Sequence, residues 1–168
     1  VAHTGMDAMT HSIEAYVSTA HCNYTDGLAL HSIKMIQRDL VDSYNGDMEK
    51  RASMHNAQCL AGMAFSNALL GIVHSMAHKT GAIFEDFGAH IIHGAANAMY
   101  LPRVIEFNSK DERAKKRYCT IADTLGIDAH TENEKITKLT KYIENMNKTK
   151  FFSIFLKKRL RKHHMNIH

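Results

Sequence analysis

GMDAMTHSIEAY, residues 5–16, reads as a helix, and in that conformation Asp7 and His11 project from one face about one turn apart. A carboxylate and an imidazole aligned in this way admit two readings. With Thr4 as N-cap, Asp7 falls in the first turn, where the helix dipole favours a negative charge. In the other reading the pair serves a common partner brought in from elsewhere in the chain. The remaining sequence has to supply that partner.

The chain beyond this stretch is helical almost throughout. YTDGLALHSIKMIQRDLVDSY, residues 24–44, carries Leu28, Leu30, Ile33, Ile36, Leu40 and Val41 at near-helical spacing, with Thr25 or Asp26 as cap and Gly46 as stop. From Asp47 to Phe84 a charged start gives way to residues rich in Ala, Leu and Met, as in a helix running from the surface into a core. Gly62 and Gly71 in this segment are expected to permit close helix contact rather than to mark loops. Pro102 is expected at a break between helices. Residues 110–126, closed by Gly126, and residues 131–146 read as two further amphipathic helices. No stretch alternates with period two, and no glycine-rich phosphate loop is present in the sequence. The fold class is all-α, a helical bundle.

At 168 residues and 45% hydrophobic content, the chain can bury a sizeable core without staples. Cys22, Cys59 and Cys119 are odd in number and lack paired CxxC spacing, which argues against a disulfide framework or a thiolate zinc site and fits a reducing cytoplasm. No apolar run approaches the roughly 20 residues of a membrane span, and the first residues lack the features of a secretory signal. The sequence opens on Val1, without an initiator Met, and reaches a helical signal within a few residues, as expected of a piece of something longer.

The net charge of +4 is local. After Glu144 there are seven basic residues and no acidic one; the 14 basic residues before them face 17 acidic ones. The body is slightly acidic and offers no case for a nucleic-acid-binding protein, and neither a nucleic acid nor a membrane is expected as a partner. Residues 1–147 therefore form the expected helical domain and 148–168 a separate basic tail. FFSIFLKKRLRK in that tail is either a basic amphipathic segment for an anionic surface or an artefactual end, and the second reading is preferred.

Chemistry concentrates in the histidines, of which there are 13. His21, His31, His55 and His130 read as solvated helix-surface residues. His74 and His78 lie one turn apart among Ile72, Val73, Met76 and Ala77, the least polar part of the chain. Imidazoles buried there without partners would cost on the order of 1–3 kcal/mol each, and a metal is an efficient partner. His90 and His93 follow, with Gly94 leaving room for a close approach to a ligand or another helix. Asp7, His11, His74 and His93 together would make a nitrogen and oxygen shell suited to Fe(II) or Zn(II). The HxxxH pair has no HExxH glutamate, and Lys79 follows His78, so no metalloprotease base is present. On residue types and spacing alone, a metal site and a satisfied histidine core both stand.

Three motifs in order, GMDAMTHSIEAYVS, LAGMAFSNALLGIVHSMAHKTGA and HGAANAMYLPRVIEFN, resemble the carboxy-terminal domain of iron-containing (group III) alcohol dehydrogenases, especially the bacterial butanol-dehydrogenase-like members. The resemblance covers residues 1–126. It implies a helical bundle related to the helical domains of glycerol dehydrogenase and dehydroquinate synthase. It also implies a divalent metal, Fe(II) with Zn(II) as the alternative, on Asp7, His11, His74 and His93. His78 matches the family histidine near metal and nicotinamide, and so takes a cofactor-contacting, proton-relaying role. The implied reaction is alcohol–aldehyde interconversion with NAD(H) or NADP(H), in a water-poor pocket lined by Met63, Phe65 and Ile72. The implied partners are a small alcohol or aldehyde, an amino-terminal dinucleotide-binding domain, and a second copy in a homodimer.

Ile92-His93-Gly94 stands where the family usually reads PHG, and the spacing from His74 to His93 is a few residues longer than common, which makes His90 a rival ligand. His93 is preferred because HGAANAMYLP continues the motif directly after it. The glycines of the family's dinucleotide domain have no counterpart here, and the tail differs from the family's terminal helices. The isolated chain is accordingly expected to be inactive. The alternatives are a non-catalytic metal-binding remnant and a fragment of a zinc-dependent glycerol dehydrogenase-like enzyme.

Overall fold

The computed structural model describes residues 1–88 and 90–148, so the basic tail beyond Lys148 lies outside the described residues. The described residues form seven helices and no strand: α1 (Ala2–Val17), α2 (Asn23–Asn45), α3 (Met48–Ala68), α4 (Ile72–Asp86), α5 (His93–Asn108), α6 (Glu112–Thr124) and α7 (Glu132–Lys148). The all-α expectation is met. Helix α1 is the hub. Every residue from Ala8 to Val17 is buried, because α2, α3, α5 and α6 all pack on it. Met9 and Ile13 of α1 meet Ile33 and Ile36 of α2 and Leu101 and Ile105 of α5 in one apolar core, which Ile121, Leu139 and Ile143 close from α6 and α7. No single described helix is long and apolar enough to cross a membrane.

Several local expectations change. Thr4 does not cap α1: the helix starts one residue after Val1, the Thr4 hydroxyl donates to the Val1 carbonyl, and Asp7 lies beyond the first turn. The capping explanation for Asp7 is lost with it. Helix α2 starts after Cys22, and Thr25 sits inside its first turn, its hydroxyl accepting from Cys22 N at 2.9 Å. Gly46 does end α2, at φ 108°, and Asp47 caps α3 by accepting from Lys50 N at 3.0 Å.

Gly71 marks a real break, where the chain turns by 99° between α3 and α4. Leu69 in that break holds φ 68° and ψ 172°, a region nearly reserved for glycine. Gly62, in contrast, has open space where a Cβ would stand, so it mediates no close contact. Pro102 lies inside α5 rather than at its end. A proline cannot donate to the carbonyl four residues back, and here the Asn147 amide from α7 donates to Ala98 O at 2.6 Å instead. Gly126, at φ 71°, ends α6 as expected.

Asp39 fastens α2 to α3. Its fully buried carboxylate accepts from Arg38 Nε at 2.8 Å and Ser53 Oγ at 2.6 Å, with Lys50 Nζ at 3.0 Å. The bonded Arg38 guanidinium, with Ser53 and Lys50, outweighs burial and holds this carboxyl far below the usual range. A depressed carboxyl stabilises the fold above its unfolded pKa of about 3.9, and that contribution fades as pH falls below it. Asp39→Ala is expected to cost about 1.5–3 kcal/mol at pH 7 in urea denaturation. The gap to wild type should narrow as the pH is lowered through the carboxylate range.

Candidate metal centre

Helix α1 sets Asp7, His11 and Glu14 on one face at helical spacing. Helix α4 brings His74 from the side in its first turn, and α5 opens with His93 and places Asn97 one turn later. His74 Nε2 and His93 Nε2 each lie 3.6 Å from Asp7 Oδ1. Ligand atoms of these three residues are mutually within 4.8 Å. An ion with bonds of about 2.0–2.2 Å in tetrahedral geometry holds neighbouring ligand atoms about 3.4 Å apart, so the spacing fits one ion.

His11 stands beside the three rather than among them. Its ring is stacked between Phe65 and His74, with both centroid separations 4.3 Å, and its Nδ1 is 3.9 Å from Asp7 Oδ2. That Nδ1 is buried without a hydrogen-bond partner. His78 is exposed, its ring 4.6 Å from that of His93 and 6.4 Å from that of His74. His90 points away, three-quarters exposed, with Nδ1 3.8 Å from Glu85 Oε1. Of the two rivals, His93 is the one at the cluster. Among the residues expected to line the pocket, Phe65 covers His11, while Met63 and Ile72 are partly exposed.

Two residues at the centre were not among those singled out from the sequence. Asn97 Nδ2 donates to Asp7 Oδ1 at 2.6 Å and lies 3.0 Å from His74 Nε2 and 3.1 Å from His93 Nε2. One carboxylate oxygen and two imidazole nitrogens thus crowd a single amide nitrogen, while Asn97 Oδ1 is buried with no partner. Glu14 lies behind His74, its carboxylate accepting from His74 Nδ1 at 2.6 Å. The signal for both was helical spacing: Asn97 follows His93 by four residues, and Glu14 follows Asp7 by seven.

The electrostatics follow from this arrangement. Burial pushes His11 down to about 4 despite the nearby Asp7 carboxylate, so its ring is neutral at pH 7. Burial also disfavours a charged His74, but Asp7 and Glu14 more than compensate and raise it to about 9. Burial would raise Asp7; hydrogen bonding with His74, the charge that His11 takes up in acid and the Asn97 amide bring it below the ordinary carboxylate value. His93 is lowered chiefly by burial. Asn97 Oδ1 and His11 Nδ1 are buried without hydrogen-bond partners beside a carboxylate and converging imidazoles, and the donor set fits Fe(II) or Zn(II).

Residues 1–164 match the family described as Fe-containing alcohol dehydrogenase, C-terminal. The chain belongs to this family. A NADPH-dependent butanol dehydrogenase of Clostridium saccharobutylicum is 56% identical over 147 residues, which are 88% of this chain and 36% of that protein. An iron-containing alcohol dehydrogenase from Thermococcus thioreducens superposes with a TM-score of 0.74 at 40% identity, covering 87% of this chain and 36% of the other. An alcohol dehydrogenase from Oenococcus oeni gives 0.79 at 32% identity, over 86% of this chain and 37% of the other. This member of the iron-containing alcohol dehydrogenases thus spans under two fifths of the length of these relatives.

Proposed function

We propose that the chain is the metal-holding part of an alcohol dehydrogenase that interconverts small alcohols and aldehydes with NAD(P)(H). The convergence of Asp7 Oδ1, His74 Nε2 and His93 Nε2 carries this reading. Asp7, His11, His74 and His93 would hold the ion, Fe(II) with Zn(II) as the alternative, and His11 has a spare nitrogen to offer. A metal held there supplies Lewis-acid polarisation of a substrate oxygen. The chain's own residues do the rest. Phe65 and the stacked His11 keep water from the buried side. His78, exposed beside His93, is placed to take the alcohol proton or return it to the alkoxide. The similarity to a NADPH-dependent butanol dehydrogenase supports butanol and NADPH as the first pair to test. Cys22, Cys59 and Cys119 are free, which supports a reducing, cytoplasmic setting.

Elemental analysis of the chain after loading with Fe(II) or Zn(II) is expected to give close to one metal per chain. His74→Ala and Asp7→Ala should lose most of it, and His90→Ala should keep it. Unchanged metal in both His11→Ala and His74→Ala would remove the site. Loss in His90→Ala with retention in His93→Ala would reverse the choice between those two.

A further inference from the structure

Glu14 is a carboxylate enclosed beside the cluster, with only 5% of its side chain exposed. Helix α4 begins at Gly71 with no side-chain cap of its own. Its first amides have to find acceptors elsewhere, because no intrahelical carbonyl reaches them. Glu14 supplies those acceptors from α1: Oε1 accepts from Val73 N at 2.7 Å, and Oε2 from Gly71 N at 3.1 Å and His74 N at 3.4 Å. The same Oε2 accepts from His74 Nδ1 at 2.6 Å. The entry is fitted to the carboxylate, since a Cβ on Gly71 would stand 2.8 Å from Glu14 Oε1.

An imidazole has two nitrogens, and which one is left bare depends on the bond that the other makes. In the neutral ring, with Nδ1–H bonded to Glu14, the bare nitrogen is Nε2, the one that faces Asp7 and His93. We propose that Glu14 is a positioning residue that fixes the neutral His74 ring as its Nδ1–H tautomer while capping α4, and so presents Nε2 as a ligand. The ligand half rests on the metal reading above; the tautomer half does not. A carboxamide separates the two roles. Glu14→Gln keeps a carbonyl oxygen at the Oε1 place that can accept from the Val73 amide, while its NH2 at the Oε2 place faces Nδ1 and favours the opposite tautomer, giving up the Gly71 and His74 amide contacts.

The test is long-range 15N–1H correlation on the histidine rings of the metal-free 168-residue chain at a pH where His74 is neutral, alongside zinc titration at pH 7. Wild type should show the Nδ1–H form at His74 and Glu14→Gln the Nε2–H form. Zinc affinity in the variant should fall about 10- to 100-fold, the range for a lost partner behind a ligating histidine. An Nε2–H form in wild type overturns the proposal, and this measurement stands even where the variant does not fold. The same tautomer in both proteins also overturns it, and Glu14 is then a helix cap alone. A wild-type chain that takes up no zinc but shows the tautomer exchange defeats the metal reading and leaves the positioning role of Glu14 in place.

Discussion

Gly94→Ala is expected to destabilise the chain by at least about 2 kcal/mol and to strip its metal, although it adds one methyl group to a residue that touches no ligand. Gly94 is buried in the first turn of α5, where that helix crosses the start of α1. A Cβ there would stand 2.1 Å from the His3 carbonyl oxygen and 2.7 Å from its carbon. Both are backbone atoms of a helix packed on other sides, so neither can swing away as a side-chain tip would. Helix α5 has to back off instead, carrying His93 and Asn97 away from Asp7. The expected signature is a lowered midpoint in chemical denaturation together with sub-stoichiometric metal. Gly62→Ala is the control: with open space at its Cβ position in mid-helix, it should be stabilising by about 0.5–1 kcal/mol. Wild-type stability and metal content in Gly94→Ala would show that the α1–α5 crossing is looser than its geometry.

What could be read from the sequence follows the range of the interactions involved. Helices α2, α6 and α7 were legible because their apolar spacing is local and Gly46 and Gly126 punctuate two of the ends. The break at 69–71 was not, since the apolar run continues through it and the turn is held by α1, through Ser18 on the Ala68 carbonyl and Glu14 on α4. Pro102 was misplaced for a related reason. Its tolerance inside α5 depends on Asn147, 45 residues later, which no local rule connects to Ala98. The site divides in the same way. That Asp7, His74 and His93 come together was expected from residue type and motif, and the close backbone approach at Gly94 was anticipated, its partner being His3 of another helix. The stacking of His11 between Phe65 and His74 is a tertiary fact. Glu14 and Asn97 lay within reach of helical spacing and were missed because neither belongs to the ligand set that the motifs imply.

By itself the 168-residue chain, whose sequence holds no glycine-rich phosphate loop, is expected to give no NADPH-linked butanol oxidation even when fully metal-loaded. Fusing the dinucleotide-binding part of the Clostridium saccharobutylicum enzyme ahead of Val1 should bring turnover, because at 56% identity the α1, α4 and α5 surfaces should remain compatible with it. Two variants of that fusion separate binding from chemistry. His74→Ala should lose metal and turnover together, by on the order of 1,000-fold or more in kcat, since Lewis-acid stabilisation contributes several kcal/mol. His78→Ala should keep its metal, because its exposed ring borders the cluster without joining it, yet lose about 100- to 10,000-fold in kcat if it moves the proton. A His78→Ala fusion with full turnover would return the proton to solvent and leave His78 as a wall of the site. Oxidation by the unfused chain would show that these helices bind the dinucleotide without a phosphate loop. A metal-loaded, folded fusion that stays inactive would separate holding the ion from using it, and place the defect in how the two halves meet.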